Sequence, residues 1–269
     1  MASNVTSTPP GSGSGPGGVV FSKPPHLIGH RGAAAVAPEN TLASFRRAAT
    51  DGADWVEFDV RLSADGVPVI FHDDDLGLTS NGQGPVSTRT AAELKTLDAG
   101  AWFGADFTGE TIPTLRETIA LCRDLGLGMN IEIKPAAGEE RATAHAALQI
   151  LAEVLGSGDA VIAGSIVFSS FKRASLEALR DHGPQWPRGL LISEWPVDWL
   201  EAARRLGCVS LHPHHQLLED AASVRNVKTE GLLVLPYTVN DPERAATLFK
   251  WGVDAIITDD PRLLSTMSG

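Results

Sequence analysis

Eight short apolar runs recur along the chain, and almost every one leads into a stretch with helical spacing. The runs centre on Leu27, Val56, Ile131, Val167, Leu191, Val209, Val234 and Ile256. They are nearly continuous rather than alternating, the pattern of parallel strands covered on both faces. Between them, apolar residues at helical spacing predict helices over about 39–50, 113–125, 140–155, 171–181, 197–206, 217–228 and 242–251. Asn40 or the turn at Pro38 is expected to start the first of these. Asp241-Pro242 and Asp260-Pro261 each read as an N-cap with proline at the first helical position, the second opening a last short helix. Eight such units imply a closed α/β fold, the TIM (β/α)8 barrel, which commonly takes ~250 residues as one domain. A doubly wound open sheet is the competing architecture.

One part breaks the rhythm. Asp65-Gly66 is a tight turn from the second strand into Val67–Phe71. So short a connection cannot carry a parallel crossover, so the return run is a hairpin arm rather than the next barrel strand. Residues of about 73–112 then read as a small insertion over one end of the barrel. The Ser-, Thr-, Pro- and Gly-rich start, residues 1–24, is expected to be a flexible tail, and 25–269 a single barrel domain.

A parallel barrel places its chemistry at the carboxyl ends of its strands, and the polar residues fall there. His30 and Arg31 end the first strand, Glu57 and Asp59 the second, and Glu132 and Lys134 the third. Glu57 and Asp59 are two apart, so their side chains leave one face of a strand, as do those of Glu132 and Lys134. Three carboxylates in a barrel mouth need a counter-ion. Their hard oxygen donors fit one divalent cation, Mg²⁺ or Ca²⁺, with Mn²⁺ also suited. The alternative is a structural cluster of ion pairs with Arg31 and Lys134. His30 and His72 suit proton transfer near neutral pH. Arg31 can chelate two phosphate oxygens, and Lys134 can offset charge developing on them. Asp73, Asp74 and Asp75 read as a solvated turn. His212 is expected in a pocket wall, and Tyr237 either there or in the core.

The net charge of −11 argues against nucleic acid and against stable association with an anionic membrane. Cys122 and Cys208 each sit alone in an apolar segment and read as buried free thiols, which suits a reducing compartment. The first residues carry neither a basic start nor an apolar core of a signal peptide, so a cytoplasmic location is expected.

His30-Arg31-Gly32, Pro38-Glu39-Asn40-Thr41, Glu57-Phe58-Asp59-Val60, Asp65-Gly66, His72-Asp73 and Glu132-Ile133-Lys134 together resemble the signature of the glycerophosphodiester phosphodiesterase family, most closely its compact cytosolic bacterial members. The likeness continues through Tyr237-Thr238-Val239-Asn240 to Thr258-Asp259. The resemblance implies a metal-dependent barrel hydrolase. It would cut glycerophosphocholine, glycerophosphoethanolamine and similar diesters to sn-glycerol 3-phosphate and an alcohol. It further implies metal ligation by Glu57, Asp59 and Glu132, acid–base roles for His30 and His72, and phosphate binding by Arg31 and Lys134. His212 and Tyr237 are added as substrate contacts, and a monomer or homodimer is expected. Two alternatives share the residues: a phospholipase-type phosphodiesterase of the same fold, and a metal-assisted barrel lyase in which His30 abstracts a carbon-bound proton.

Overall fold

The computed structural model describes residues 26–155 and 165–263. The tail expected over 1–24 and most of the last short helix lie outside them.

Strands β1 (Leu27–Gly29), β2 (Trp55–Leu62), β4 (Gly128–Ile133), β5 (Ile166–Ser170), β6 (Arg188–Ile192), β7 (Ser210–Pro213), β8 (Leu233–Val234) and β9 (Ile256–Thr258) form the barrel. From β1 to β8 each pairs in parallel with its neighbour in that order, and β9 pairs in parallel with β1. Closure is made by backbone bonds from Asp254 N–H to the Val234 carbonyl (3.0 Å) and from Ile257 N–H to that of Pro236 (2.9 Å). The expected TIM barrel is therefore the fold, and the open sheet is excluded. Among the described residues one strand, β3 (Pro68–Ile70), is antiparallel; it returns along β2 as the hairpin arm.

Helices cover the outside. Among the described residues they include α1 (Leu42–Thr50), α2 (Ala91–Leu94), α3 (Leu115–Leu125), α4 (Glu140–Leu155), α5 (Arg173–His182), α6 (Trp199–Leu206), α7 (Ala221–Thr229) and α8 (Pro242–Trp251). The start of α1 differs from expectation. Thr41 is its N-cap, its hydroxyl accepting from Ser44 N–H, while Asn40 is left for the site. Asp241 and Pro242 open α8 as expected. The segment expected as helix from 217 is a 3-10 turn at His215–Leu217, and α7 begins only after the Asp220 cap.

Three apolar clusters divide the interior. The largest lies between sheet and helices and contains Phe45, Phe58, Ile70 and Ile131. Phe45 and Phe58 pack with ring centres 5.6 Å apart. A second, inside the barrel, contains Ile28, Trp55, Val167, Leu235, Ala255 and Ile257. Trp55 is matched by Gly128 across the strand pair; a Cβ there would lie 2.3 Å from the indole. A third is built from Val69, Phe71, Leu76, Val86, Leu94, Ala99 and Ile112. It belongs to the stretch between β2 and α3, where the chain leaves the barrel rhythm. No described helix is long and apolar enough to cross a membrane.

Candidate active site

Glu57 and Asp59 sit within β2 rather than at its end, because pairing with β3 extends β2 to Leu62. Asp59 pairs with Glu132 across β2 and β4, so the three carboxylates share the inner face. Their oxygens lie within 4.8 Å of one another, and all three side chains are buried. Glu57 Oε1 has no hydrogen-bond partner among the described residues.

The loop after β1 wraps this cluster. Arg31 adopts a left-handed backbone (φ 50°), followed by Gly32 at φ 93°. The turn is tight enough that a Cβ on Gly32 would lie 2.4 Å from Ser44 Oγ. This aims the Arg31 N–H at Glu57 Oε2 (3.0 Å). The Arg31 guanidinium donates to Glu39 (2.8 Å), and its Nε lies 3.5 Å from Asp59. Lys134 Nζ stands 3.4 Å from Asp59 and 3.5 Å from Glu132. Asn40, also left-handed (φ 57°), donates from Nδ2 to Asp59 Oδ2 (2.9 Å) and accepts the Asp59 N–H at Oδ1 (3.3 Å).

Charge is unevenly shared. Burial, with Asp59 and Glu132 beside it, pushes the Glu57 carboxyl well above its usual range. Burial and Asp59 push Glu132 up to about 7 against the pull of Lys134. Burial also opposes ionisation of Asp59, yet Lys134 and Arg31 hold it well below the usual carboxylate range. Lys134 and Arg31 thus favour Asp59 most, and the two glutamates remain short of positive charge. The ion pairs of the alternative reading are present but incomplete, and a divalent cation fits the deficit and the orphaned Glu57 oxygen.

Two histidines flank the cluster, and each is held by an aspartate through Nδ1. His30 Nδ1 lies 2.6 Å from Asp259 Oδ1, and its Nε2 lies 3.9 Å from Glu57. Asp259 also accepts from Asn240 Nδ2, and its own N–H donates to Asn240 Oδ1 at 2.9 Å. His72 Nδ1 lies 2.8 Å from Asp73 Oδ1. With Nδ1–H donating to a carboxylate, Nε2 of either ring is the atom left for a proton transfer. Burial, Arg31 and Lys134 depress the His72 imidazole, although Asp59 and Asp73 pull the other way. The Asp73–Asp75 turn is therefore not merely solvated: Asp73 orients His72, and Asp74 pairs with Arg61.

A cavity of about 230 Å³ opens among these groups. His30, Arg31, Glu57, Asp59, His72, Glu132 and Lys134 line its polar part, and Phe171, Leu191, Tyr237 and Ile257 its apolar part. Phe171 and Tyr237 meet edge to face with centres 5.8 Å apart. The Tyr237 hydroxyl donates to the Ile192 carbonyl (3.1 Å). His212 is the exception. It is fully buried in the barrel, pairs with Ser210 Oγ at 2.9 Å and is absent from the cavity lining. Burial drives its imidazole down to about 3. The expectation that it forms a pocket wall is corrected: its ring occupies the space left by Gly189, where a Cβ would lie 2.4 Å from Nε2.

The model of the glycerophosphoryl diester phosphodiesterase family matches residues 30–263. The chain belongs to that family. The resemblance and the enzyme class expected from the motifs are both met. A glycerophosphodiester phosphodiesterase of Caldanaerobacter subterraneus subsp. tengcongensis is 37% identical over 239 residues, covering 88% of this chain and 95% of the relative. A phosphodiesterase of Oleispira antarctica, solved in complex with the product sn-glycerol-3-phosphate, matches with a TM-score of 0.86 and 40% identity. That match covers 91% of this chain and 97% of the other. A glycerophosphodiester phosphodiesterase of Thermotoga maritima matches with a TM-score of 0.70 and 29% identity, over 91% of this chain and 99% of the other. Family membership thus extends over both histidines, all three carboxylates and Asp259.

Proposed function

We propose that this enzyme hydrolyses glycerophosphodiesters such as glycerophosphocholine and glycerophosphoethanolamine, giving sn-glycerol 3-phosphate and an alcohol. The observation that supports this best is the pair of aspartate-held histidines on either side of one carboxylate cluster. Hydrolysis of a diester needs a proton taken from the attacking oxygen and a proton given to the leaving one, and two such histidines provide both. A lyase would also draw on a base and an acid, but Arg31 and Lys134 beside the carboxylates favour a phosphate over an enolate.

Glu57, Asp59 and Glu132 would hold one divalent cation, Mg²⁺ or Ca²⁺, which supplies Lewis-acid polarisation and charge neutralisation at the phosphate. Arg31 and Lys134 bind the phosphate oxygens. The ammonium of Lys134, at 3.4–3.5 Å from two carboxylates, is not locked into a short bond and can turn to a substrate oxygen. One histidine accepts the proton of the nucleophile at Nε2, and the other donates from Nε2 to the departing alkoxide. Phe171, Leu191 and Tyr237 offer an apolar wall to the carbon skeleton; Tyr237 acts through its ring, since its hydroxyl is engaged. The cytoplasm is the compartment proposed, in keeping with the free, buried thiols of Cys122 and Cys208.

The test is release of glycerol 3-phosphate from glycerophosphocholine by metal-stripped protein, with Mg²⁺, Ca²⁺ and Mn²⁺ returned one at a time. Ion-dependent release supports both substrate class and metal site. No release with any ion and any common head group would refute the proposal.

A further inference from the structure

Arg61 is the third residue on the inner alternation of β2, after Glu57 and Asp59, and the sequence motifs leave it without a role. It is a cation only 6% exposed. Its guanidinium does not reach the carboxylate cluster. It turns to the segment after β3 and donates to the backbone carbonyl of His72 twice, from Nε at 2.9 Å and from Nη2 at 2.6 Å. Nη1 pairs with Asp74, whose side chain is mostly exposed. Such an exposed pair adds little stability, whereas a buried fork on one carbonyl is charge-assisted and fixes direction.

His72 has few other anchors. It lies two residues past the end of β3, at the root of the stretch that carries the third apolar cluster. The preceding residue is tied by Phe71 N–H to the Asp59 carbonyl (3.0 Å), and the ring is tied by Asp73. Asp73 is itself a neighbour in sequence, so it sets the ring against its own backbone and not against the barrel. Arg61 is the buried side chain that ties the His72 backbone itself to β2, the strand that also carries Glu57 and Asp59.

We infer that Arg61 is a positioning residue that acts through His72, holding the imidazole in register with the carboxylate cluster. The inference rests on the acid–base role proposed for His72. Neither Arg61 nor its bonds to the His72 carbonyl touch the cavity, so its loss should appear in turnover rather than in substrate or cation affinity. A misplacement of about 1 Å costs on the order of 10²-fold in rate.

The test is a double-mutant cycle of R61A and H72A, with R61K beside it because lysine keeps the charge but not the fork. R61A is expected to lower kcat by about 10–10²-fold while KM and the half-saturating cation concentration change less than about threefold. R61K should recover little of that loss, and added guanidinium should recover part of it. In the H72A background, R61A should change turnover less than about twofold. Losses that multiply in the double mutant, or an R61A enzyme with undiminished kcat, would overturn the inference while leaving the functional reading intact. If H72A alone keeps full turnover, both fall. A second readout needs no substrate: hydrogen exchange of the 71–75 peptide should quicken in R61A and R61K while peptides of β5 and α5 are unchanged. Unaltered protection at 71–75 overturns the inference even if the diesters tried prove not to be substrates.

Discussion

His30 and Asp259 are 229 residues apart and meet at 2.6 Å, the last barrel strand holding the imidazole that the first one carries. The bond engages Nδ1 of His30 and leaves Nε2, 3.9 Å from Glu57, as the nitrogen that the proposed proton transfer would use. Asn240, which grips Asp259 through both side chain and backbone, fixes the carboxylate in turn. D259N should therefore leave the fold and cation binding near those of the parent while lowering kcat by about 10²–10⁴, as expected when a histidine loses its tautomer-setting partner. Steady-state kinetics beside a thermal melt checks this. An unimpaired kcat would mean that His30 needs no such partner.

Replacing either imidazole tests the acid–base assignment itself. H30A and H72A should each reduce turnover by about 10²–10⁴ while substrate still binds. Equilibrium binding of glycerol 3-phosphate separates lost chemistry from lost affinity. Full turnover in either variant would remove that histidine from the mechanism.

The carboxylate cluster makes stability depend on pH in a known direction. Glu57 and Glu132 have folded pKa values above their unfolded ones. Their contribution is fully present below the unfolded value near ~4.5 and is lost as pH rises through the folded value, about 7 for Glu132. Metal-stripped protein should therefore melt progressively lower between about pH 4.5 and 7. Added Ca²⁺ or Mg²⁺ should flatten that slope, and at 100 times its Kd should contribute about 2.7 kcal/mol. Melting profiles that coincide with and without ion would argue against a cation among Glu57, Asp59 and Glu132.

Asn40 combines a backbone role and a side-chain role that two substitutions can separate. N40A loses the amide bond to Asp59 and leaves a Cβ in left-handed backbone; N40G loses only the amide. Both should weaken cation binding alike. N40A should be the less stable by about 1 kcal/mol, the cost of the left-handed conformation for a residue with a Cβ. Denaturant melts and ion titrations check the order; N40A more stable than N40G would contradict it.

The site elements most legible in the sequence were those that depend on strand periodicity. Glu57 and Asp59 share a face because they are two apart, and the barrel follows from eight buried runs; both hold. Boundaries were less legible. The sixth barrel strand, expected about Val209, is displaced to Ser210–Pro213, where a buried histidine hides inside a polar-looking run. The ladder of β8 spans two residues, with single backbone bonds from Leu235 and Tyr237 carrying the extended chain onward. What spacing cannot give is who meets whom across the barrel. Asp259 belongs to the motif likeness at Thr258-Asp259, but its partner His30 lies at the other end of the chain. Asp73 looked like turn chemistry because aspartates favour turns regardless of function. His212 had the residue type of a ligand and the surroundings of a core residue, and only the packing on Gly189 tells them apart.

Strand β3 and the residue after it divide their side chains between two interiors. Ile70 belongs to the main core, whereas Val69 and Phe71 belong to the small cluster of the stretch between β2 and α3. That stretch thus has an apolar core of its own, and it is tied back to the β2–β3 turn by bonds from Ala64 N–H to the Arg89 carbonyl (2.7 Å) and from Ala91 N–H to Asp65 Oδ1 (2.8 Å). A substitution that repacks the small cluster at Phe71 therefore bears on the seat of His72, its neighbour in sequence, without disturbing the main core.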